Sequence, residues 1–371
     1  MKVVVACGGT GGHAFPGLAV AEELRRRGHE VVVWNSGRAI ESSVMSAWDG
    51  PSFPTGAKPL SAKNVFANLA SYFRCRREMK RLKPDALLAM GSYSSLPPVL
   101  AARARKVKVF LHEANTVPGK AVEFLSRFAD AVAISFDETT GYLKGVRTVR
   151  TGLPVRAGIA GGRRFDFIPP EAFVVFVTGG SQGAHAVNML LRDALLGLKA
   201  EIDARGPGAR PLYVIHQTGA QDEAVVREAY AAASLPARVH AFECEMAQAF
   251  ASADLVVARA GASTCFELAA CGKASFLIPL PTAVRDHQHR NAEAFVRSGA
   301  AYEGMQSRLT SEQVCHYLLD KYDHPERLAA MSAKIRRLAT PDAAAKVAEL
   351  VEERQTRLSA ALPAEGVPGT I

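Results

Sequence analysis

Over the first 150 residues short β-rich apolar runs, at 2–7, 30–34, 86–90, 108–112 and 131–135, alternate with stretches of helical pattern such as 15–27 and 120–128. Strands alternating with helices predict a parallel sheet with βαβ connections. The alternation restarts at "AFVVFVTGGSQGAHAVN", after a Pro-, Gly- and Arg-rich stretch, 153–170, that suits a linker. Further strands are expected at 212–216, 238–242, 255–258 and 274–279, and helices at 326–339 and 342–354. Residues 356–371, rich in Ala, Pro and Gly, read as a disordered tail.

The restart is also a weak internal repeat. Gly8, Gly9, Thr10 and Gly12 recur as Gly179, Gly180, Ser181 and Gly183, each 171 positions later. Two similar α/β halves agree with the length, since 371 residues exceed what one core usually holds. Each glycine turn sits between a strand and a helix, where bare backbone lets a ligand approach and unpaired amides attract anionic groups. Residues 9–14 fit G-x-G-x-x-A, but the next strand ends Val33-Trp34-Asn35-Ser36, without the acidic residue that would hold a dinucleotide's ribose. The chain has no G-K-[ST], which removes the P-loop reading. A third glycine turn, "ARAGASTCFELAACG", opens a helix that carries Glu267 one turn in. There a carboxylate either accepts from the two hydroxyls of a ribose or simply stabilises the helix start through the dipole.

Composition narrows the class. With 48% hydrophobic and 22% charged residues the chain is of soluble globular type. No run approaches the roughly 18–20 apolar residues of a spanning helix, and the apolar start is too short for a signal-peptide core, so a cytoplasmic chain is expected. The six cysteines show no C-x-x-C pair and the ten histidines no ligand pattern, so neither a metal nor a cofactor is expected. The net charge of +9 resides in one segment: residues 58–108 hold twelve Lys or Arg against Glu78 and Asp85. Such an imbalance implies an anionic partner. Within it, "VFANLASYFRCRREMKRLK" interleaves Phe66, Leu69 and Phe73 with Arg76, Arg77 and Lys80. This suits an interfacial helix on an anionic membrane surface, the alternative being that the apolar residues are a core face.

Six segments in order, "GGTGGHAFPGLAVAEEL", "GSYSSLPPVLAA", "HEANTVPG", "GGSQGAHAVN", "RAGASTCFELAACG" and "RDHQHRNA", resemble the successive motifs of the MurG family, the peptidoglycan lipid I N-acetylglucosaminyltransferases of bacteria. The resemblance runs from residue 2 to about 300. It implies a GT-B fold, two Rossmann-like domains with parallel sheets facing a cleft: an acceptor and membrane-binding domain at 1–153, a UDP-GlcNAc-binding domain at 154–339, and a helix at about 340–355 returning to the first. The implied reaction is inverting transfer of GlcNAc from UDP-GlcNAc to the C4 hydroxyl of MurNAc in lipid I, giving lipid II. Its implied place is the cytoplasmic face of the plasma (inner) membrane, bound peripherally.

Carried over by motif, Ser181 and Arg156 would meet the diphosphate, and Ala262, Ser263 and Thr264 would offer amides to phosphate. Glu267 would hold the ribose, Gln288 the GlcNAc ring, and the backbone near Glu243 the uracil. Thr10, Gly11, Gly12 and Asn115 would complete the donor site, while Gly91, Ser92 and Tyr93 would bear on the acceptor. An inverting displacement needs a base for the hydroxyl; His13 is the first candidate and Glu113 the second. His112 reads as structural. Ala114, Leu153, Ser92 and His185 depart from the family, where Gln, Asn, Gly and Arg are usual. Rival readings are another GT-B enzyme, either a diacylglycerol glycosyltransferase or a UDP-GlcNAc 2-epimerase, and a noncatalytic basic module for membrane or nucleic acid. An aromatic content of 7% and the lack of an RNA-binding or helix-turn-helix motif speak against nucleic acid.

Overall fold

The protein is described by a computed structural model, which covers residues 1–9, 11–38, 45–46 and 48–359. The apolar runs form two parallel sheets. The first holds β1 (Lys2–Ala6), β2 (Glu30–Asn35), β3 (Ser52–Pro54), β4 (Ala86–Ala89), β5 (Lys108–Glu113), β6 (Ala131–Ile134) and β7 (Thr148–Arg150), in the order β3-β2-β1-β4-β5-β6-β7. The second holds β8 (Phe173–Thr178), β9 (Leu212–Gln217), β10 (Ala237–His240), β11 (Leu255–Ala258), β12 (Ser275–Leu277) and β13 (Ala301–Glu303), in the order β10-β9-β8-β11-β12-β13. The second sheet thus repeats the winding of the first. Its edge strand β13 and the first sheet's β3 and β7 were not expected; each has three residues, too few for a periodic signal.

The continuous apolar runs follow from helices on both faces of each sheet. In β1, Val3 and Val5 enter one core with Leu24, while Val4 and Ala6 enter another with Met79 and Leu87. Phe173, Val175 and Val177 of β8 likewise face one core, and Val174 and Phe176 the other. Residues 153–170 are not a free linker: Ile159, Phe165 and Ile168 are buried in the second domain's core, because the prolines and glycines punctuate a packed coil.

The chain returns to the first domain at its end. Helix α12 (Ala343–Ser359) packs Val347, Ala348, Leu350 and Val351 against the core that contains Val3 and Val5. It thereby extends helix past residue 356, where the tail was expected, and residues 360–371 lie outside the described residues. Glu352 ties the return, accepting from Arg27 Nη1 at 2.8 Å and contacting His29 Nε2 at 2.6 Å. The two crossings between domains touch: Gly152 has φ +82°, and a Cβ there would lie 2.4 Å from the Thr340 side chain.

Candidate active site

In open parallel sheets, ligands gather outside the carboxyl ends of the strands, where strand order reverses. Here both reversals, β1/β4 and β8/β11, contribute to one cleft. Helix α1 (Gly11–Arg26) starts inside the first glycine loop rather than at residue 15, so Gly11, Gly12 and His13 form its first turn. A cavity of about 340 Å³ is lined by these three and Asn115 from the first domain, and by Gly180, Ser181, Ala262, Ser263, Thr264 and Glu267 from the second. Arg156, on the crossing between the domains, completes this set. Ser263 Oγ donates across the cleft to Gly12 O at 3.4 Å. Thr10 lies outside the described residues.

His13 has a defined tautomer. Its Nδ1 is 2.9 Å from Met90 O, and a carbonyl only accepts, so Nδ1 carries the proton and Nε2 keeps its lone pair. Burial holds its pKa below the ordinary imidazole value against the opposing pull of that hydrogen bond, and His287 lowers it further. Glu113 is placed differently. It is buried, with Oε1 accepting from Asn115 N at 2.9 Å and Asn115 Nδ2 at 3.1 Å and Oε2 from Gly119 N at 2.9 Å. The carboxylate organises its own loop and does not line the cavity, although burial raises its pKa. His112 is buried with Nε2 3.2 Å from Gly152 O, and burial lowers its pKa to about 4, as suits a structural group.

On the second domain, helix α8 (Ala262–Cys271) begins at Gly261, and its free N-terminal amides belong to residues that line the cavity. Glu267 is not a lone carboxylate: Arg156 Nε and Nη2 donate to its two oxygens at 2.7 and 3.1 Å. Arg156 also lies over the Phe15 ring at 4.7 Å, so one side chain links α1, the crossing and α8. The second glycine turn is pinned by close backbone approach, since a Cβ on Gly183 (φ +75°) would lie 1.9 Å from Thr218 O. His185, where the family usually has Arg, contacts Asp222 at 2.8 Å instead. Gln288 opens helix α9 (His287–Arg297), accepts from Leu280 N at 2.9 Å, and lines an adjoining hollow with Gly180 and Thr264.

Some expected residues stand off the cavity. Glu243 is buried, its carboxylate held by Arg238 and its amide donating to Gln217 Oε1 at 3.2 Å. The neighbouring Phe242 is 46% exposed and lines the cavity with Met246, an apolar platform that the sequence reading missed. Its signal was available: a large aromatic just past the end of β10. His287 also lines the cavity, outside the expected set; its Nδ1 is 2.9 Å from Val284 O, which leaves Nε2 unprotonated in the neutral ring. Gly91, Ser92 and Tyr93 follow β4 beside the first glycine loop. Ser92 takes φ +69°, a conformation that explains why glycine is usual there, and Arg38 Nη1 donates to Tyr93 Oη at 3.1 Å.

The two halves match the glycosyltransferase family 28 N-terminal domain over residues 3–134 and the family 28 C-terminal domain over residues 174–349. A relative from Geotalea uraniireducens, a UDP-N-acetylglucosamine–N-acetylmuramyl-(pentapeptide) pyrophosphoryl-undecaprenol N-acetylglucosamine transferase, is 37% identical across 96% of this chain and 99% of its own. The crystal structure of Acinetobacter baumannii MurG is 31% identical, with a TM-score of 0.74 over 95% of this chain and 99% of that one. The chain belongs to the MurG family. Its GT-B architecture is also that of a UDP-GlcNAc 2-epimerase from Neisseria meningitidis (TM-score 0.70, 13% identity, 95% and 100% coverage), a likeness of fold alone. Membership of the MurG family, not the shared winding, therefore separates the transferase from the epimerase alternative.

The basic segment forms helix α2 (Val65–Leu82). It buries Ser71, Cys75 and Met79 at i, i+4 and i+8, one face of an α-helix. Phe66, Leu69 and Phe73 lie on the other side, 84%, 50% and 55% exposed, so the core-face alternative is corrected. Arg76, Arg77 and Lys80 are exposed too. No helix among the described residues is long and apolar enough to cross a membrane.

Proposed function

We propose that this chain transfers GlcNAc from UDP-GlcNAc to the C4 hydroxyl of MurNAc in lipid I, with inversion, forming lipid II. The observation that carries the reading is the composition of one cavity. It brings His13, with Nε2 unprotonated, opposite the amide-rich start of α8, in a chain of this family. His13 Nε2 takes the proton of the acceptor hydroxyl as its oxygen bonds to the sugar's anomeric carbon. The bond from that carbon to the UDP oxygen breaks, and its electron pair leaves with UDP. Amides of Ala262, Ser263 and Thr264, with Ser181, receive the diphosphate, where fixed donors stabilise developing charge without reorganising. Glu267 accepts from the ribose, Phe242 and Met246 cover the uracil, and Gln288 reads the GlcNAc ring. Gly91, Ser92 and Tyr93 line the acceptor's approach from the first domain. Glu113 acts through Asn115, whose position it fixes. The second domain is the donor domain, and the first holds acceptor and membrane.

The exposed Phe66, Leu69 and Phe73 beside Arg76, Arg77 and Lys80 support peripheral binding to an anionic membrane at its cytoplasmic face, where a lipid-linked acceptor would be met. The test is transfer of labelled GlcNAc from UDP-GlcNAc to a short-chain lipid I analogue with EDTA present, beside a diacylglycerol acceptor. Transfer to lipid I alone is expected; transfer only to diacylglycerol, or release of epimerised sugar, would overturn the reading.

A further inference from the structure

Away from the cleft, a hollow of about 440 Å³ opens where the end of α2 meets the starts of β4 and β5. Lys80, Lys83, Arg105, Lys106 and Lys108 line it, against the single carboxylate of Asp85. Lys108 is committed to Asp130, and Asp85 Oδ2 accepts from Lys2 N at 2.7 Å. Among the described residues Lys80, Lys83, Arg105 and Lys106 form no ion pair, and Arg105 Nε is sealed from solvent with no hydrogen-bond partner in the chain. Lys83 and Lys106 both sit at positive φ, +48° and +58°, in the two turns that bound the hollow. Like charges collected without ion-pair partners, with Lys80, Lys83 and Lys106 exposed, define a site for an anion with several acceptor oxygens.

The place of the hollow on α2 indicates where that anion comes from. Phe66, Phe73 and Lys80 recur at seven-residue spacing, so they form one stripe along the helix, opposite the buried Cys75 and Met79. The stripe is apolar in its first half and cationic in its second, and it ends at Lys80 in the hollow. We infer that the hollow binds the phosphate of an anionic lipid headgroup in the surface on which the apolar half of α2 rests. This rests on the proposed membrane reading of α2 and adds to it a defined headgroup site, on the side of the domain remote from the donor cavity. Free phosphate shares the same chemistry, and the two sources are separable.

The experiment measures partitioning of the full chain onto phosphatidylglycerol/phosphatidylcholine vesicles and onto phosphatidylcholine alone. The double variant Lys83→Gln/Lys106→Gln is compared with wild type and with Arg163→Gln/Arg308→Gln, which removes the same charge from exposed positions of the second domain. UDP binding serves as the folding check. Two cations at roughly fivefold each predict about a 25-fold loss on anionic vesicles for the hollow variant only. An equal loss in the control pair would reduce the effect to net charge and overturn the site. Inorganic phosphate that binds wild type but not the hollow variant by titration calorimetry, while the two partition equally onto anionic vesicles, would assign the hollow to free phosphate and overturn the lipid source. A third variant, Phe66→Ser/Leu69→Ser/Phe73→Ser, separates the two readings. If it binds vesicles like wild type, the membrane reading itself fails; if it is released while the hollow variant stays bound, only the headgroup site fails.

Discussion

At the scale of single residues, the decisive feature is that each polar group in the cleft has its chemistry set by one backbone partner or one countercharge. Met90 O fixes the His13 tautomer, and burial holds its pKa below the usual 6.5 or so. A base must be neutral, so kcat/KM should fall with acid only below the ordinary imidazole range, and a limb at or above it would assign the titration elsewhere. His13→Ala should lower kcat by about 10²–10⁴ with donor affinity nearly unchanged; near-normal turnover would remove His13 as base. Glu267 is partnered by Arg156, so neither acts alone. Glu267→Gln should weaken UDP-GlcNAc binding by about 1.5–3 kcal/mol, read by titration calorimetry. Arg156→Met should cost a comparable amount, and the double variant should cost less than the sum, because each single change leaves the other side chain, buried Glu267 or partly buried Arg156, without its countercharge. Strict additivity would mean the pair is not a unit in the bound state.

Elements tell how far the sequence could be read. Short continuous apolar runs located the long strands of both halves, with helical stretches between them, and the repeat at 171 positions anticipated that the second sheet winds like the first. Three-residue edge strands and the packed coil at 153–170 were illegible, because short pairing and aperiodic burial leave no regular pattern. For α2 the composition alone left two orientations open, since Phe, Leu, Cys and Met are all apolar. Burial decides it, and stability can test it. Met79 is fully buried, so Met79→Ala should cost about 2–5 kcal/mol in denaturant unfolding. Replacing exposed Phe66 and Phe73 by Ser should change stability by no more than about 0.5 kcal/mol each. Comparable losses at both sets would mean the helix is oriented otherwise. The candidate site was legible where a motif carried it, as at 262–267, and illegible where a neighbour's side chain claimed the residue. Arg238 on Glu243 and the loop amides on Glu113 are long-range or turn-specific contacts that no spacing reveals.

Across the whole molecule, the cleft depends on how two independently wound domains are held, and a small set of contacts does this. Asn291, fully buried on α9, accepts from Thr116 N at 3.0 Å. Its Nδ2 donates to Asn115 Oδ1 at 3.1 Å and to Ala260 O at 3.2 Å. Asn291 therefore joins the first domain's loop after β5 to the second domain's loop after β11, the same loop that leads into α8. Exposed ion pairs, Arg285 with Glu123 and Arg297 with Glu138, bridge nearby but contribute little in water. The buried amide is the stronger link, since removing it strands Thr116 N and leaves Asn115 with one fewer partner, a cost of about 1–3 kcal/mol. Asn291→Ala should leave each domain's core intact but widen the distribution of cleft openings. The radius of gyration from small-angle scattering should rise, and saturating UDP should reverse the change if donor binding closes the cleft. Turnover should fall because His13 and the start of α8 come from opposite domains and must be in register when the hydroxyl attacks. UDP affinity itself should change less, since most proposed donor contacts lie within the second domain. A variant with unchanged scattering and unchanged turnover would place the register in the crossings at Gly152 and Thr340 instead, where a Cβ at 152 could not be accommodated without separating the two strands of chain that connect the domains.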